Sequence, residues 1–223
     1  MSSIFDCSVD TSLLEGMRKA KLALAKGDLV VVPTDTVYGL AADAFNADAV
    51  QALLDAKGRG RQSPPPVLIP NVDSLYALAD TVSDTALKLA EKFWPGPLTM
   101  IFRAQASLQW DLGETRGTVA LRVPNHKITL ALLAESGPLA VSSANLTGEP
   151  AANNAQQAQN YLGDKVAVYL DGGEAALGEA STILDLTGEK VRIVREGAGA
   201  YVCGEETALL ESIEEIGRAS CRE

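Results

Sequence analysis

The chain has 223 residues, of which 47% are hydrophobic, and this size and composition predict one domain with a substantial core. Its formal net charge of −10 argues against a protein that coats nucleic acid. No hydrophobic run approaches the ~18 residues of a membrane span, no leader segment is visible, and three scattered cysteines with one histidine form no metal or redox motif. We therefore expect a cytoplasmic protein that has no membrane contact and binds no metal through its side chains.

The first half of the chain alternates predicted helices and strands. Apolar residues at helical spacing predict helices over residues 12–26, 48–57 and 84–93. Gly27 can end the first helix, and the apolar run over residues 29–32 predicts a buried strand. The prolines at 64–66 cannot continue a helix, so they favour an extended segment over residues 67–69.

The second half continues this alternation. Strands are predicted over residues 98–102, 118–123, 139–141, 166–170, 181–186 and 191–194, and helices over 128–135 and 155–161. Interleaved helices and strands predict an α/β domain with a mixed sheet. Residues 216–223 lack a hydrophobic pattern, so we expect a domain over residues 1–215 followed by a disordered end or a cloning remnant.

Hydroxyl and amide side chains follow several of the predicted strands. Thr34 and Thr36 follow one strand, and Ser143 and Asn145 follow another. Ligands of open α/β sheets bind where strands end, so these side chains predict a binding site. Each of them is also compatible with an ordinary turn or helix cap, and that alternative stays open.

Cations occur at similar places in the chain. Lys57 and Arg59 can direct two positive groups at one anion, although they also suit a solvated helix end. Arg122 and Arg195 end apolar strands, where a charge needs a partner such as an anionic ligand. The sequence contains no phosphate-binding loop, and its one histidine, His126, is more typical of a turn than of a general base. The residues alone therefore predict an anion pocket without identifying its substrate.

Six blocks of this sequence, in order, resemble the YrdC/TsaC family of L-threonylcarbamoyladenylate synthases. They are residues 33–40 (PTDTVYGL), 57–59 (KGR), 94–99 (WPGPLT), 121–126 (LRVPNH), 142–148 (SSANLTG) and 181–185 (STILD). The resemblance implies a YrdC-like fold, in which an open, twisted mixed sheet flanked by helices surrounds a central basic cavity. It also implies the short, single-domain form of the family.

The resemblance implies a reaction in two steps. The amine of L-threonine takes up bicarbonate or CO₂, and the resulting carbamate attacks the α-phosphate of ATP to give threonylcarbamoyl-AMP and pyrophosphate. Mg²⁺ would bridge the phosphates with few protein ligands. A threonylcarbamoyl transferase complex would then modify tRNA, and a weak direct contact between this chain and tRNA is left open.

Motif positions also imply roles for particular residues. Lys57 and Arg59 would be the catalytic residues. L-threonine would be bound by Thr36, Arg122, Ser143 and Ser181. ATP would be bound by Lys57, Arg59, Ser63, Thr118, Asn145, Asn153 and Arg195.

Three positions depart from the family pattern. Ser63 stands where the family usually has asparagine, Leu68 stands at a histidine position, and Asn153 replaces a more usual threonine. The part of the expected pocket that these residues form therefore differs from that of other family members.

Two other functions are compatible with the same fold. One is an RNA-binding module without catalysis, which predicts salt-sensitive tRNA affinity and no threonine-dependent ATP turnover. The acidic charge balance and an aromatic content of 5% weigh against it. The other is a paralogue that acts on a different carbamoyl or acyl-adenylate substrate, as hydrogenase-maturation carbamoyltransferases do.

Overall fold

Residues 3–188 and 190–198 are described by the computed structural model. The predicted domain end at residue 215 and the segment 216–223 lie outside these residues. Within them, no helix combines the length and hydrophobicity that crossing a lipid bilayer requires.

Ten strands occur in the described residues and pair into one mixed sheet. They are β1 Ser3–Asp6, β2 Val30–Val32, β3 Gly39–Asp43, β4 Val67–Leu68, β5 Leu98–Arg103, β6 Thr118–Arg122, β7 Leu139–Ser143, β8 Val168–Asp171, β9 Thr182–Asp185 and β10 Arg192–Arg195. Their order across the sheet is β1-β8-β2-β3-β7-β4-β6-β5-β9-β10. The pairs β1/β8, β2/β8, β4/β6 and β5/β9 are parallel, and the other neighbours are antiparallel. The prediction of an α/β fold with an open mixed sheet is therefore confirmed.

Six α-helices accompany the sheet in the same part of the chain. They are α1 Asp10–Ala25, α2 Ala47–Lys57, α3 Leu75–Leu78, α4 Asp84–Phe93, α5 Lys127–Ser136 and α6 Ala155–Leu162, with 3₁₀ turns over Val72–Ser74 and Gly163–Lys165. The helix α4 has the predicted bounds, and Ser83 caps its first turn by accepting a hydrogen bond from the Ala86 amide. The strands β1 and β3 and the helix α3 were not predicted from the sequence.

Helices cover both faces of the sheet near its centre, as the alternation along β3 shows. Leu40 and Ala42 are buried in a cluster with Leu53 of α2, whereas Ala41 is buried in a different cluster with Leu133 of α5. Because β3 is buried on both faces and built largely from glycine and alanine, it lacks the period-two pattern that predicts a strand. Small side chains let the helices approach the sheet closely at this point.

Gly39 packs tightly against the neighbouring strand where β3 begins. A Cβ atom at this position would lie 2.5 Å from Cγ1 of Val141 in β7. We expect Gly39→Ala to lower the free energy of unfolding by about 1–3 kcal/mol, because the added methyl group overpacks the site. Urea denaturation followed by circular dichroism measures this change. Gly188→Ala is the control, since the nearest atom to its added Cβ would be 3.9 Å away. Equal midpoints for the two variants would contradict the prediction.

Candidate functional site

A cavity of about 210 Å³ crosses seven consecutive strands, from β3 to β10 in the order of the sheet. Each of these strands, or the residue just before it, contributes to the lining. The polar lining residues are Thr34, Thr36, Arg59, Thr99, Arg122, Ser142, Ser143, Ser181 and Arg195. The cavity therefore brings together predicted site residues that are far apart in the sequence. A larger groove of about 610 Å³ lies between α2 and residues 164–167, and none of the predicted site residues lines it.

The turn after β2 presents a connected pair of hydroxyl groups. Thr34 Oγ1 donates a hydrogen bond to the carbonyl oxygen of Val37 at 2.6 Å and lies 3.0 Å from Thr36 Oγ1. A hydroxyl has one proton, so Thr36 must donate to Thr34. Arg122 Nη1 also donates to Thr36 Oγ1, at 2.9 Å. Thr36 can therefore face a ligand only as a hydrogen-bond acceptor, which suits an ammonium group.

Arg122 is buried at the end of β6 and is paired with Asp35. Their exposed fractions are 5% and 7%, and Nη2 lies 2.5 Å from Oδ1 of Asp35. The Nε of Arg122 donates to the carbonyl oxygen of Gly96. The partners Thr36, Asp35 and Gly96 leave one N–H on each Nη atom without a partner among the described residues. Burial lowers the pKa of the guanidinium, and the Asp35 carboxylate counteracts this effect. Asp35 therefore supplies the charged partner that this buried arginine requires, and the expected contact of Arg122 with an anionic ligand stays a prediction.

Arg59 and Arg195 lack such a counterion among the described residues. Arg59 Nη1 donates to Ser142 Oγ at 3.3 Å, and Arg195 Nη2 donates to the carbonyl oxygen of Ser181 at 2.8 Å. Burial lowers the pKa of Arg195, and the positive charge of Arg59 lowers it further. Both guanidinium groups line the cavity. The cavity consequently carries excess positive charge, which favours binding of an anion.

Lys57 lies outside the lining of the cavity and supports one of its walls. Its side chain is buried, with 1% of the residue exposed, and Nζ donates to the carbonyl oxygen of Ser143, to that of Asn145 at 2.7 Å and to Asn145 Oδ1 at 3.1 Å. Burial, together with the nearby charge of Arg59, lowers the pKa of Lys57 to about 7. An ammonium group has three protons, and all three are engaged here. Lys57 therefore fixes the turn after β7, and its expected contact with a phosphate stays a prediction.

Asn145 is engaged in the same turn and also lies outside the lining. Its Nδ2 donates to the carbonyl oxygens of Leu146 at 3.0 Å and Glu149 at 2.6 Å, while its Oδ1 accepts from Lys57. The polar atoms of this amide are thus already bonded within the protein. Asn145 therefore holds this turn, and its expected direct contact with ATP stays a prediction.

Three further predicted residues do not line the cavity. Ser63 is exposed and immediately precedes Pro64, a lining residue. Thr118 lines a second cavity of about 170 Å³, which shares Pro64 with the first. Asn153 Oδ1 is buried without a hydrogen-bond partner among the described residues, so it can accept from a ligand. Leu68, which departs from the family pattern, contributes an apolar part of the main cavity.

Sequence reasoning missed Asp35, Thr99 and Ser142 as members of the site. Thr99 Oγ1 lies 2.8 Å from Ser181 Oγ, and Ser142 accepts the hydrogen bond from Arg59. All three residues fall within the blocks that carry the family resemblance, which is the signal that could have identified them.

Comparisons with known proteins agree with this architecture. The sequence model of the Sua5/YciO/YrdC family, described as telomere recombination, matches residues 22–197. A Mycobacterium tuberculosis protein named threonylcarbamoyl-AMP synthase is 48% identical over 197 residues, which cover 88% of this chain and 91% of that protein. The Bacillus subtilis threonylcarbamoyl-AMP synthase is 37% identical over 181 residues, and the match covers 80% of this chain and 52% of that protein.

Solved structures of the same family resemble this chain. Pyrococcus abyssi Sua5 complexed with L-threonine superposes with a TM-score of 0.81 and 34% identity, covering 88% of this chain and 57% of the Sua5 chain. Escherichia coli YciO has a TM-score of 0.80 and 25% identity, covering 90% of this chain and 98% of that chain. The chain therefore belongs to the Sua5/YciO/YrdC family.

Proposed function

We propose that the chain is an L-threonylcarbamoyladenylate synthase, which converts L-threonine, bicarbonate or CO₂ and ATP into threonylcarbamoyl-AMP and pyrophosphate. The observation that carries the proposal is the cavity, which is lined by three guanidinium groups, of which only that of Arg122 is paired with a carboxylate. This excess of positive charge suits a triphosphate together with an amino acid. Relatives that carry the name threonylcarbamoyl-AMP synthase support the same reaction.

The threonine site of this proposal lies around Arg122, Thr36, Ser143 and Ser181. The two free N–H groups of Arg122 can bind a carboxylate through two hydrogen bonds. Thr36 can accept from the amine before it becomes a carbamate. A related protein, Pyrococcus abyssi Sua5, has been solved with L-threonine bound, which supports an amino-acid site in this fold.

The phosphate site of this proposal lies around Arg59 and Arg195. Neither side chain makes an ion pair within the described residues, so both charges are available to phosphate oxygens. Attack of a carbamate on the α-phosphate needs aligned reactants and neutralised charge, which these groups can supply. Ser63, Thr118 and Asn153 would bind other parts of ATP from the second cavity and the surrounding walls.

Magnesium fits this site as a companion of the nucleotide. No group of three or more His, Cys, Asp or Glu side chains that could hold a metal occurs within residues 3–188 and 190–198. Mg²⁺ would therefore be bound through phosphate oxygens and water, where it would help to neutralise the phosphate charge.

The product implies a downstream enzyme. Threonylcarbamoyl-AMP is a mixed anhydride and hence a reactive acyl donor, so it must pass to an acceptor. We propose that a cytoplasmic threonylcarbamoyl transferase complex consumes it to modify tRNA, with at most a weak contact between tRNA and this acidic chain.

Pyrophosphate release from ATP tests the proposal, with L-threonine and bicarbonate each present or omitted. Release that requires both compounds supports the synthase, and serine or glycine in place of threonine then tests specificity. ATP binding without release would instead indicate a paralogue with another substrate. Binding of tRNA without binding of ATP would favour the RNA-binding alternative.

Arg122→Ala is expected to raise the KM for L-threonine by about 10- to 150-fold, because it removes charge-assisted hydrogen bonds to the carboxylate. The KM for ATP should change much less. Steady-state kinetics with each substrate varied in turn measure the two effects, and Arg122→Lys retains the charge as a comparison. Thermal unfolding checks the fold, since the change leaves Asp35 unpaired. A larger rise in the KM for ATP would overturn this division of the site.

A further inference from the structure

The three arginines of the cavity differ in their electrostatic surroundings. Arg122 is paired with the buried carboxylate of Asp35 at 2.5 Å. Arg59 and Arg195 have hydroxyl or carbonyl partners but no carboxylate partner within the described residues. The guanidinium of Arg122 is therefore neutralised by a direct ion pair, whereas those of Arg59 and Arg195 retain their charge.

The main chain fixes the Asp35 carboxylate in place. Its Oδ1 accepts from the backbone N–H of Asn125 at 3.0 Å as well as from Arg122 Nη2. The carbonyl oxygen of Asp35 accepts from the amide of Leu177 at 3.1 Å, which anchors the turn itself. Its Oδ2 has no hydrogen-bond partner among the described residues, so no second cation in that part of the chain offsets its charge by direct contact. Asp35 thus presents a fixed negative charge to Arg122.

This pairing determines which anion Arg122 can bind well. The paired guanidinium still offers two N–H groups in a planar arrangement, which match the two oxygens of a carboxylate. A polyphosphate gains most from unneutralised charge, and it would also approach the negative Asp35. The neutralised pair is consequently a better partner for a singly charged carboxylate than for a phosphate chain.

We propose that Asp35 is a positioning residue that sets specificity: it fixes Arg122 and reserves its guanidinium for the carboxylate of the amino acid, so that the phosphates are bound by Arg59 and Arg195. The inference rests on the proposed function, because it assumes both an amino acid and a triphosphate as ligands. It assigns to Asp35 no contact with either ligand.

The test uses Asp35→Asn in the full chain, with inorganic tripolyphosphate as the probe. Calorimetry measures L-threonine affinity with and without saturating tripolyphosphate. In the unchanged protein, we expect tripolyphosphate to leave the affinity for L-threonine within about twofold. In Asp35→Asn, we expect tripolyphosphate to compete with L-threonine and to bind about tenfold more tightly than in the unchanged protein, because Arg122 is no longer neutralised.

Two further variants separate charge from position. The double variant Asp35→Asn/Arg122→Gln should lose the gain in tripolyphosphate affinity, since the gain depends on the Arg122 charge. Asp35→Glu keeps the charge but moves the carboxylate, so L-threonine should bind more weakly without competition from tripolyphosphate. This variant also tests the proposal if Asp35→Asn does not fold. A purely structural role of Asp35 would produce neither the competition nor its dependence on Arg122.

The control is Asp111→Asn, which removes an ion pair with Arg61 that is 2.6 Å long but about half exposed. The affinities for L-threonine and for tripolyphosphate should both stay unchanged in this variant. Folded Asp35→Asn without competition, a gain that persists in the double variant, or competition in Asp35→Glu would each overturn the proposal. Failure of the proposed function would appear differently, as missing threonine-dependent pyrophosphate release in the unchanged protein. The dependence of tripolyphosphate affinity on Asp35 and Arg122 would still decide the inference in that case.

Discussion

Arg59→Ala is expected to lower kcat/KM for threonine-dependent pyrophosphate release by about 100- to 1,000-fold, the effect of removing one group that stabilises transition-state charge. The guanidinium lines the cavity without an ion pair in the described residues, and its single hydrogen bond, to Ser142 Oγ, is 3.3 Å long. Its loss therefore removes little that holds the fold together. The thermal unfolding midpoint should stay close to that of the unchanged protein.

Arg61→Ala is the matched control for this prediction. Arg61 lies two residues further along the chain, has an exposed ion pair with Asp111 and does not line the cavity. We expect the kinetic constants of Arg61→Ala to match those of the unchanged protein. The fold should be retained as well, because surface ion pairs contribute about 0–1 kcal/mol to the free energy of unfolding. A folded Arg59→Ala variant with full activity would exclude Arg59 from the phosphate site.

Local signals explain why most helices and strands were predictable. The helix α4 begins after its capping residue Ser83. The helix α2 ends just before Gly58, which has a φ angle of +66° that glycine adopts without strain. Both signals lie within a few residues of the boundary they mark. The strand β3 carries no comparable signal, because its small residues reflect helices on both faces rather than a pattern along the chain.

Part of the candidate site was also predictable, because ligands of open α/β sheets bind where strands end. Strand ends identified Thr36, Arg122, Ser143 and Arg195, and all four line the cavity. Their partners are set by contacts between distant segments, which sequence spacing does not reveal. Arg122 is therefore neutralised by a carboxylate 87 positions away, although the chain alone suggested a charge that waits for a ligand.

Lys57 is another residue whose role depends on contacts between distant segments. The end of α2 suggested a cation directed at a phosphate, but its ammonium group donates to the turn of Ser143 and Asn145, 86 and 88 positions away. Helix periodicity places the residue correctly at the end of α2. It does not determine which of two nearby groups, a ligand or a backbone turn, receives the hydrogen bonds.

Lys57→Met should lower both stability and activity, in contrast to Arg59→Ala. It leaves three oxygens of the Ser143–Asn145 turn without their donor, which costs about 1–3 kcal/mol for each one that stays buried and unpaired.

The stability of the protein should also depend on pH through Lys57. The pKa of Lys57 is lowered from 10.5 to about 7 in the folded protein, so between these pH values the unfolded chain binds a proton at Lys57 that the folded protein does not. The contribution of Lys57 to the free energy of unfolding therefore rises from pH 7 to pH 10.5, and this rise should be absent in Lys57→Met. Urea denaturation across this pH range measures how steeply the free energy of unfolding rises with pH in the unchanged protein and in Lys57→Met. Equal slopes, or an inactive variant with unchanged stability, would return Lys57 to the role of a phosphate ligand.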